Sequence, residues 1–239
     1  MRMNPKDRLK QAAFSAIKHL PPNTAVNIIW ASTLPRDLLV RRRHRTALDT
    51  ERGKAEIDEE YYRQSMPHGS DGETNAKNKP RYEAIKGHIT GRVIEVGCAD
   101  GYFSRMFAKE GHTTFGVDLS HHFIRLAKAK AAGEGLHNVK FKVANAEHIP
   151  AKGESFDTAF LGEILEHVEN PARVVQEATR VVKPGGTFII TLPTHLMSEP
   201  SHIRTVKPKA LEKMLREVAD IKEIRLIDFT HYLCIAKRR

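Results

Sequence analysis

The chain has 239 residues, 40% hydrophobic and 28% charged, which suits one globular domain with an attached segment and a core that needs no staples. Its two cysteines, Cys98 in a glycine loop and Cys234 in a late apolar run, read as free thiols of a reducing compartment rather than a disulfide framework. The net charge of +10 is uneven: residues 1–52 hold 11 Lys and Arg against 4 Asp and Glu, a balance of +7, and the remainder hold 28 against 25, a balance of +3.

Residues 6–19 place Leu9, Ala12, Ala13, Ala16 and Ile17 at helical spacing, and Pro21-Pro22 stops that helix. The N-terminus is basic and amphipathic with no continuous apolar run, and residues 25–30 are too short to span a bilayer, so a cytoplasmic location is expected. Trp30 with Ile28, Ile29 and Leu34 reads as an anchor of this arm on the domain, or as a lipid contact. The run Arg41-Arg42-Arg43-His44-Arg45 attracts phosphate, so it offers nucleic acid or an anionic membrane a contact; a plain solvated arm is the alternative. Glu56 to Tyr62 reads as a second helix, and residues 63–80 as a loop long enough to be a lid. Tyr61, Tyr62 and His68 are candidates to line a substrate entrance, or to pack the arm on the core. Residues 1–80 are thus expected to form a basic helical arm and lid.

From residue 81 to 239 strand and helix patterns alternate, with strands expected at 92–97, 113–118, 138–143, 156–161, 186–192, 222–229 and 231–237. Helices are expected at 81–89, 101–110, 120–133, 171–182 and 207–219. Long connections between the first five strands imply parallel βαβ units, while the near-contiguous last two force a hairpin and one antiparallel strand. The expectation is an α/β, doubly wound seven-stranded sheet with its last strand antiparallel and helices on both faces. Asn170-Pro171 supplies a cap and a first-turn proline, and Lys183-Pro184-Gly185-Gly186 ends that helix.

Three segments carry a nucleotide-type site. Val93 to Phe103 runs an apolar strand into Gly97 and Gly101, four apart, and then a helix with free N–H groups. Gly97 allows a tight turn and Gly101 a close ligand approach, at the carboxyl end of a first strand. The Gly-x-x-x-Gly spacing differs from the dinucleotide pattern, and Asp100 sits where a pyrophosphate would pass. Asp118 ends the second strand, where it can accept both hydroxyls of a ribose. Asn145 and the Ala146 backbone, after the third strand, can meet an adenine edge.

In order, residues 95–101, 116–120, 145–150, 156–157 and 180–186 resemble the class I methyltransferases, over about residues 81–239. The resemblance implies S-adenosylmethionine as cofactor and S-adenosylhomocysteine as product. It places the Glu95–Gly101 loop, with Gly97, Cys98 and Ala99, beside the methionine part, Asp118 on ribose, and Asn145 and Ala146 on adenine. Tyr102, Leu119, Glu147 and Gly162 complete the expected cofactor set. Two departures stand out: Ala99 where many relatives have a third glycine, and Asn145 where many have Asp.

Gly162-Glu163-Ile164-Leu165-Glu166-His167-Val168 follows the fourth strand, beside the first strand's loop. His167 is the expected base, its reference pKa near 6.5, with Glu163 and Glu166 on one helical face to orient it. His195 and His202 follow the fifth strand and are expected to reach the substrate. Glu163, Glu166, His167 and His202 can alternatively bind a divalent cation, a set resembling that of RNA 3′-terminal ribose methyltransferases. The segment equally resembles that of ubiquinone-pathway and other small-molecule O-methyltransferases. The expected reaction is methyl transfer to an oxygen of a small molecule or a glycan or lipid precursor. A cation-dependent RNA ribose methyltransferase and a non-catalytic cofactor-binding partner subunit are the alternatives.

Overall fold

The structure is a computed structural model and describes residues 5–29, 31, 78–194 and 202–239. Its elements in chain order begin with α1 (Pro5–Ile17), α2 (22–29), α3 (Asn78–Ile85) and a 3₁₀ turn (Lys86–His88). The alternating part follows: β1 (Arg92–Val96), α4 (Tyr102–Lys109), β2 (Thr113–Asp118), α5 (His121–Gly133), β3 (Val139–Val143) and β4 (Phe156–Gly162). It ends with α6 (Pro171–Val181), β5 (Val182–Pro193), α7 (Pro208–Leu215), β6 (Ala219–Leu226) and β7 (His231–Arg238).

The seven strands form one sheet in the order β3-β2-β1-β4-β5-β7-β6. Pairing is parallel from β3 through β5, and β7 runs antiparallel to both β5 and β6. The expected fold class is therefore present. Successive strand residues point to opposite faces. Ile94 and Val96 enter one core with Leu161, Ile190, α6 and α7, while Val93 enters the other with Phe103, Phe107 and Phe160. Burial on both faces is why these strands read as nearly continuous apolar runs. The strand order reverses between β1 and β4, so their carboxyl ends open a crevice.

Capping sets the helix starts. Ser120 accepts from the Phe123 N–H, and Asn170 from that of Arg173, with Pro171 in the first turn as expected. Helix α7 has no capping side chain of its own at Lys207. Asn23 of α2 supplies it, its Oδ1 2.7 Å from the Lys209 N–H, and Asn27 accepts from Lys207 Nζ. Ala25, Val26 and Ile29 are buried in the same core as Leu211 and Leu215. Helix α2 is thus part of the core, and Phe14 and Ile17 of α1 pack against it half-buried. Trp30, Leu34, Arg41–Arg45, the expected helix 56–62 and residues 63–77 lie outside the described residues.

Two strand boundaries depart from expectation. Strand β5 begins at Val182, paired with Phe156, and continues through Pro184-Gly185-Gly186, where the register with β4 shifts. Gly185 takes φ +74°, and a Cβ on Gly186 would sit 2.5 Å from Val182, so these residues form an irregular segment of a strand rather than a helix end. Strand β6 starts at Ala219 rather than 222, because the buried Ala219 pairs with Arg238 and α7 stops at Leu215. Its far end is set by Asp228, which accepts from the N–H groups of Thr230 and His231 and turns the chain.

Candidate active site

The glycine loop lies at the carboxyl end of β1. Gly97, Ala99 and Gly101 all have positive φ (78°, 45° and 76°). Ala99 therefore occupies a left-handed position where a glycine would be unstrained. The N–H groups of Gly97 and Cys98 both donate to Val117 O, tying the loop to β2. A Cβ on Gly97 would lie 2.8 Å from Ile164, and one on Gly101 2.6 Å from Phe141. The Phe141 ring therefore leaves no room for a side chain at Gly101. Cys98 is buried in the Phe141 and Ala127 cluster, and burial raises its thiol well above the usual range, so it is no thiolate.

Asp118 is half-buried, with Oδ2 accepting from Ala99 N at 2.8 Å and Oδ1 from Ser120 N at 2.9 Å. These two bonds hold the carboxylate beside the glycine loop, between the loop and the start of α5. Leu119, next to it, is 58% exposed, a bare apolar side chain at the mouth. Asn145 Oδ1 accepts from the Glu147 N–H in a tight turn, Glu147 Oε1 accepts from Asn170 N, and Ala146 packs against the core. Asp100 is buried and paired with Lys130 at 2.7 Å, and Tyr102 N donates to it.

Glu95 has another environment. It lies on the α4 face of the sheet, buried, with Oε2 accepting from Ser104 N (2.8 Å) and Ser104 Oγ (2.5 Å). Burial raises its carboxyl to about 8 against those hydrogen bonds. It anchors the helix that follows the loop.

At the end of β4 the chain does not form the helix expected for residues 163–167. It turns, and Glu163 takes φ +56° with its N–H on Thr191 O. The two carboxylates consequently meet different surroundings. Glu163 Oε2 lies 3.3 Å from Nε2 of His231, a buried residue at the start of β7. Burial would raise the Glu163 carboxyl, but the charges of His231 and Arg81 bring it to about 2. Burial would lower His231, and Glu163 and Asp228 raise it instead. Glu166 is fully buried, and neither of its oxygens has a hydrogen-bond partner among the described residues. Burial, with the Glu163 charge nearby, raises it well above the usual carboxylate range.

His167 is half-buried, and its ring meets that of the buried His202 edge-on, centroids 4.6 Å apart. Ile203 N donates to Glu166 O, which fastens His202's segment to this turn. Ligating atoms of Glu166, His167 and His202 all lie within 4.8 Å of one another. The structure thus joins three of the four residues expected as a cation set and turns Glu163 away to His231. Tyr61, Tyr62, His68 and His195 lie outside the described residues.

Sequence reasoning missed three residues here: Arg81, Asp228 and His231. Arg81 on α3 is buried, its Nη2 3.0 Å from Thr191 Oγ1 and its guanidinium 5.0 Å from the Phe103 ring centroid. A Cβ on Gly162 would be 3.0 Å from Nη2, so Gly162 makes room for it. No local pattern marks an arginine in a polar-faced helix or a histidine opening an apolar strand.

Residues 94–190 match the family described as methyltransferase domain. The ubiquinone biosynthesis O-methyltransferase of Paracidovorax citrulli is 38% identical over 96 residues, 40% of each chain. The chain spans about half the length of the curated relatives it matches. Among solved structures, a protein of Pyrococcus horikoshii superposes with a TM-score of 0.61 at 21% identity, covering 76% of this chain and 99% of that one. A SAM-dependent methyltransferase of Aquifex aeolicus gives a TM-score of 0.59 at 17% identity, covering 67% and 89%. Both structural likenesses share the fold. Strand order and family match agree: residues 94–190 are similar to the methyltransferase domain family, and they lie in a sheet of the order shared with these structures.

Proposed function

We propose that the chain transfers a methyl group from S-adenosylmethionine to an oxygen nucleophile of a small molecule or of a glycan or lipid precursor. The observation that carries the reading is His167 in the turn after β4, a turn whose Ile164 packs on Gly97 of the glycine loop, with the His167 ring edge-on to His202. The donor set fits the cofactor. Asp118 offers acceptors for the ribose hydroxyls, Leu119 an apolar face for adenine, and the Asn145 turn a polar edge. The buried guanidinium of Arg81, whose Nε has no partner among the described residues, suits the cofactor's carboxylate.

The cofactor supplies an activated methyl group on a sulfonium. His167 accepts the proton that the acceptor hydroxyl gives up, and that oxygen's lone pair becomes available for the new bond. Relatives named for ubiquinone biosynthesis support an oxygen acceptor. A second reading, a cation-dependent RNA ribose methyltransferase, is favoured by the Glu166, His167 and His202 cluster.

Labelled S-adenosylmethionine, incubated with the full chain and either a small-molecule extract or total RNA, separates the two. Label in the small-molecule fraction that resists EDTA is expected. His167→Ala should lower it by about 100-fold, with S-adenosylhomocysteine affinity kept. EDTA-sensitive label in RNA would replace the first reading with the second, and unchanged transfer by His167→Ala would remove the base.

A further inference from the structure

Two buried atoms of opposite charge at the carboxyl end of β4 have no hydrogen-bond partners among the described residues: Arg81 Nε and Glu163 Oε1. The guanidinium abuts Gly162, and Glu163 is the next residue, so both belong to the strand end against which the glycine loop packs. A buried charge with an unmet valence is costly unless a ligand completes it. An α-amino acid zwitterion has the matching chemistry, a carboxylate for the guanidinium and an ammonium for the carboxylate.

Glu163 does not hold its place alone. Its left-handed backbone is one a glutamate keeps only when its surroundings impose it. His231 Nε2 fixes Oε2 at 3.3 Å, leaving Oε1 for a ligand. His231 is fixed in turn from its other nitrogen: Nδ1 lies 2.7 Å from Thr230 Oγ1 and 3.3 Å from Asp228 Oδ1. The same Asp228 oxygen accepts from Thr230 N, Thr230 Oγ1 and His231 N, so it is anchored independently of the imidazole. The strand register sets His231 opposite Pro193 of β5, two residues beyond Thr191, whose carbonyl holds the Glu163 N–H and whose hydroxyl holds Arg81. The C-terminal hairpin thereby reaches the crevice built by the first half of the domain.

We propose that Asp228 and His231 are positioning residues that hold Glu163 as the acceptor for the α-ammonium group of the bound ligand, opposite Arg81. This rests on the cofactor reading above, and assigns its amino-acid end. It takes Glu163 out of the set that orients His167.

The test is calorimetry on the full chain, freed of metal with EDTA, using S-adenosylhomocysteine and 5′-methylthioadenosine. The two share adenine, ribose and a thioether, and only the first carries the amino acid. The wild type should prefer the first by about 100-fold or more, as two charge pairs allow. Glu163→Gln and His231→Ala should each cut that ratio by about tenfold, acting on S-adenosylhomocysteine alone. His231→Gln, which returns a donor near the Nε2 position, should restore the ratio to within about threefold of wild type. A ratio unchanged in Glu163→Gln or His231→Ala overturns the proposal. So does equal weakening of both ligands, since that marks residues that merely support the fold. Binding of neither ligand by the wild type would overturn the cofactor reading itself, and the proposal with it.

Discussion

Single residues in this site have their ionisation set by which face of the sheet they occupy. Glu95, Glu163 and Glu166 are all buried carboxyls, yet only Glu163 has cations close enough to offset burial. Glu95 makes a direct prediction. Its carboxyl is raised to about 8, so the folded state favours the protonated form. The stability this contributes is complete below the unfolded value of 4.5 and is lost as pH rises towards 8. Denaturation midpoints at pH 5, 7 and 9 should therefore fall with pH in the wild type and fall less in Glu95→Gln. Equal slopes in the two proteins would show that Glu95 is not the titrating group. None of this is visible in the residues themselves: Glu95 precedes Gly97 as in a cofactor loop, and only the packing of Ser104 against it shows where its carboxylate goes. Asp118 was expected at the end of the second strand, and it stands there with the Ala99 and Ser120 N–H groups on its oxygens. Glu163 was singled out in the sequence without its partner, since His231 lies 68 positions later.

At the scale of elements, the alternation of strand and helix and the final hairpin follow from local patterns, and both stand in the sheet. Boundaries were less legible where a distant contact decides them. Val182 joins β5 because Phe156 pairs with it, and α7 starts where it does because Asn23, nearly two hundred residues earlier, caps it. That cap can be measured. Asn23→Ala should cost about 1 kcal/mol in urea denaturation, with the slope of unfolding against urea unchanged. A cost no larger than that of a surface substitution would mean that another group replaces the cap. The turn at residues 163–167 was read as helical from its acid spacing. The strand pairing overrode that spacing, because the Glu163 N–H is drawn to Thr191 O in continuation of the β4–β5 ladder.

Across the whole molecule, the sheet brings four separated stretches to one edge. The loop after β1 is bonded to Asp118 at the end of β2, the turn after β4 carries His167, and His231 of the last hairpin meets Glu163. Among the described residues no helix is long and apolar enough to cross a membrane. The central claim is that the carboxyl-edge crevice binds the cofactor through Asp118. Calorimetric titration with S-adenosylhomocysteine tests it most directly, comparing wild type with Asp118→Asn, which keeps the size of the side chain and removes one acceptor and the charge. Saturable binding by the wild type and about tenfold weaker binding by the variant are predicted; equal affinity in the two proteins would contradict the account.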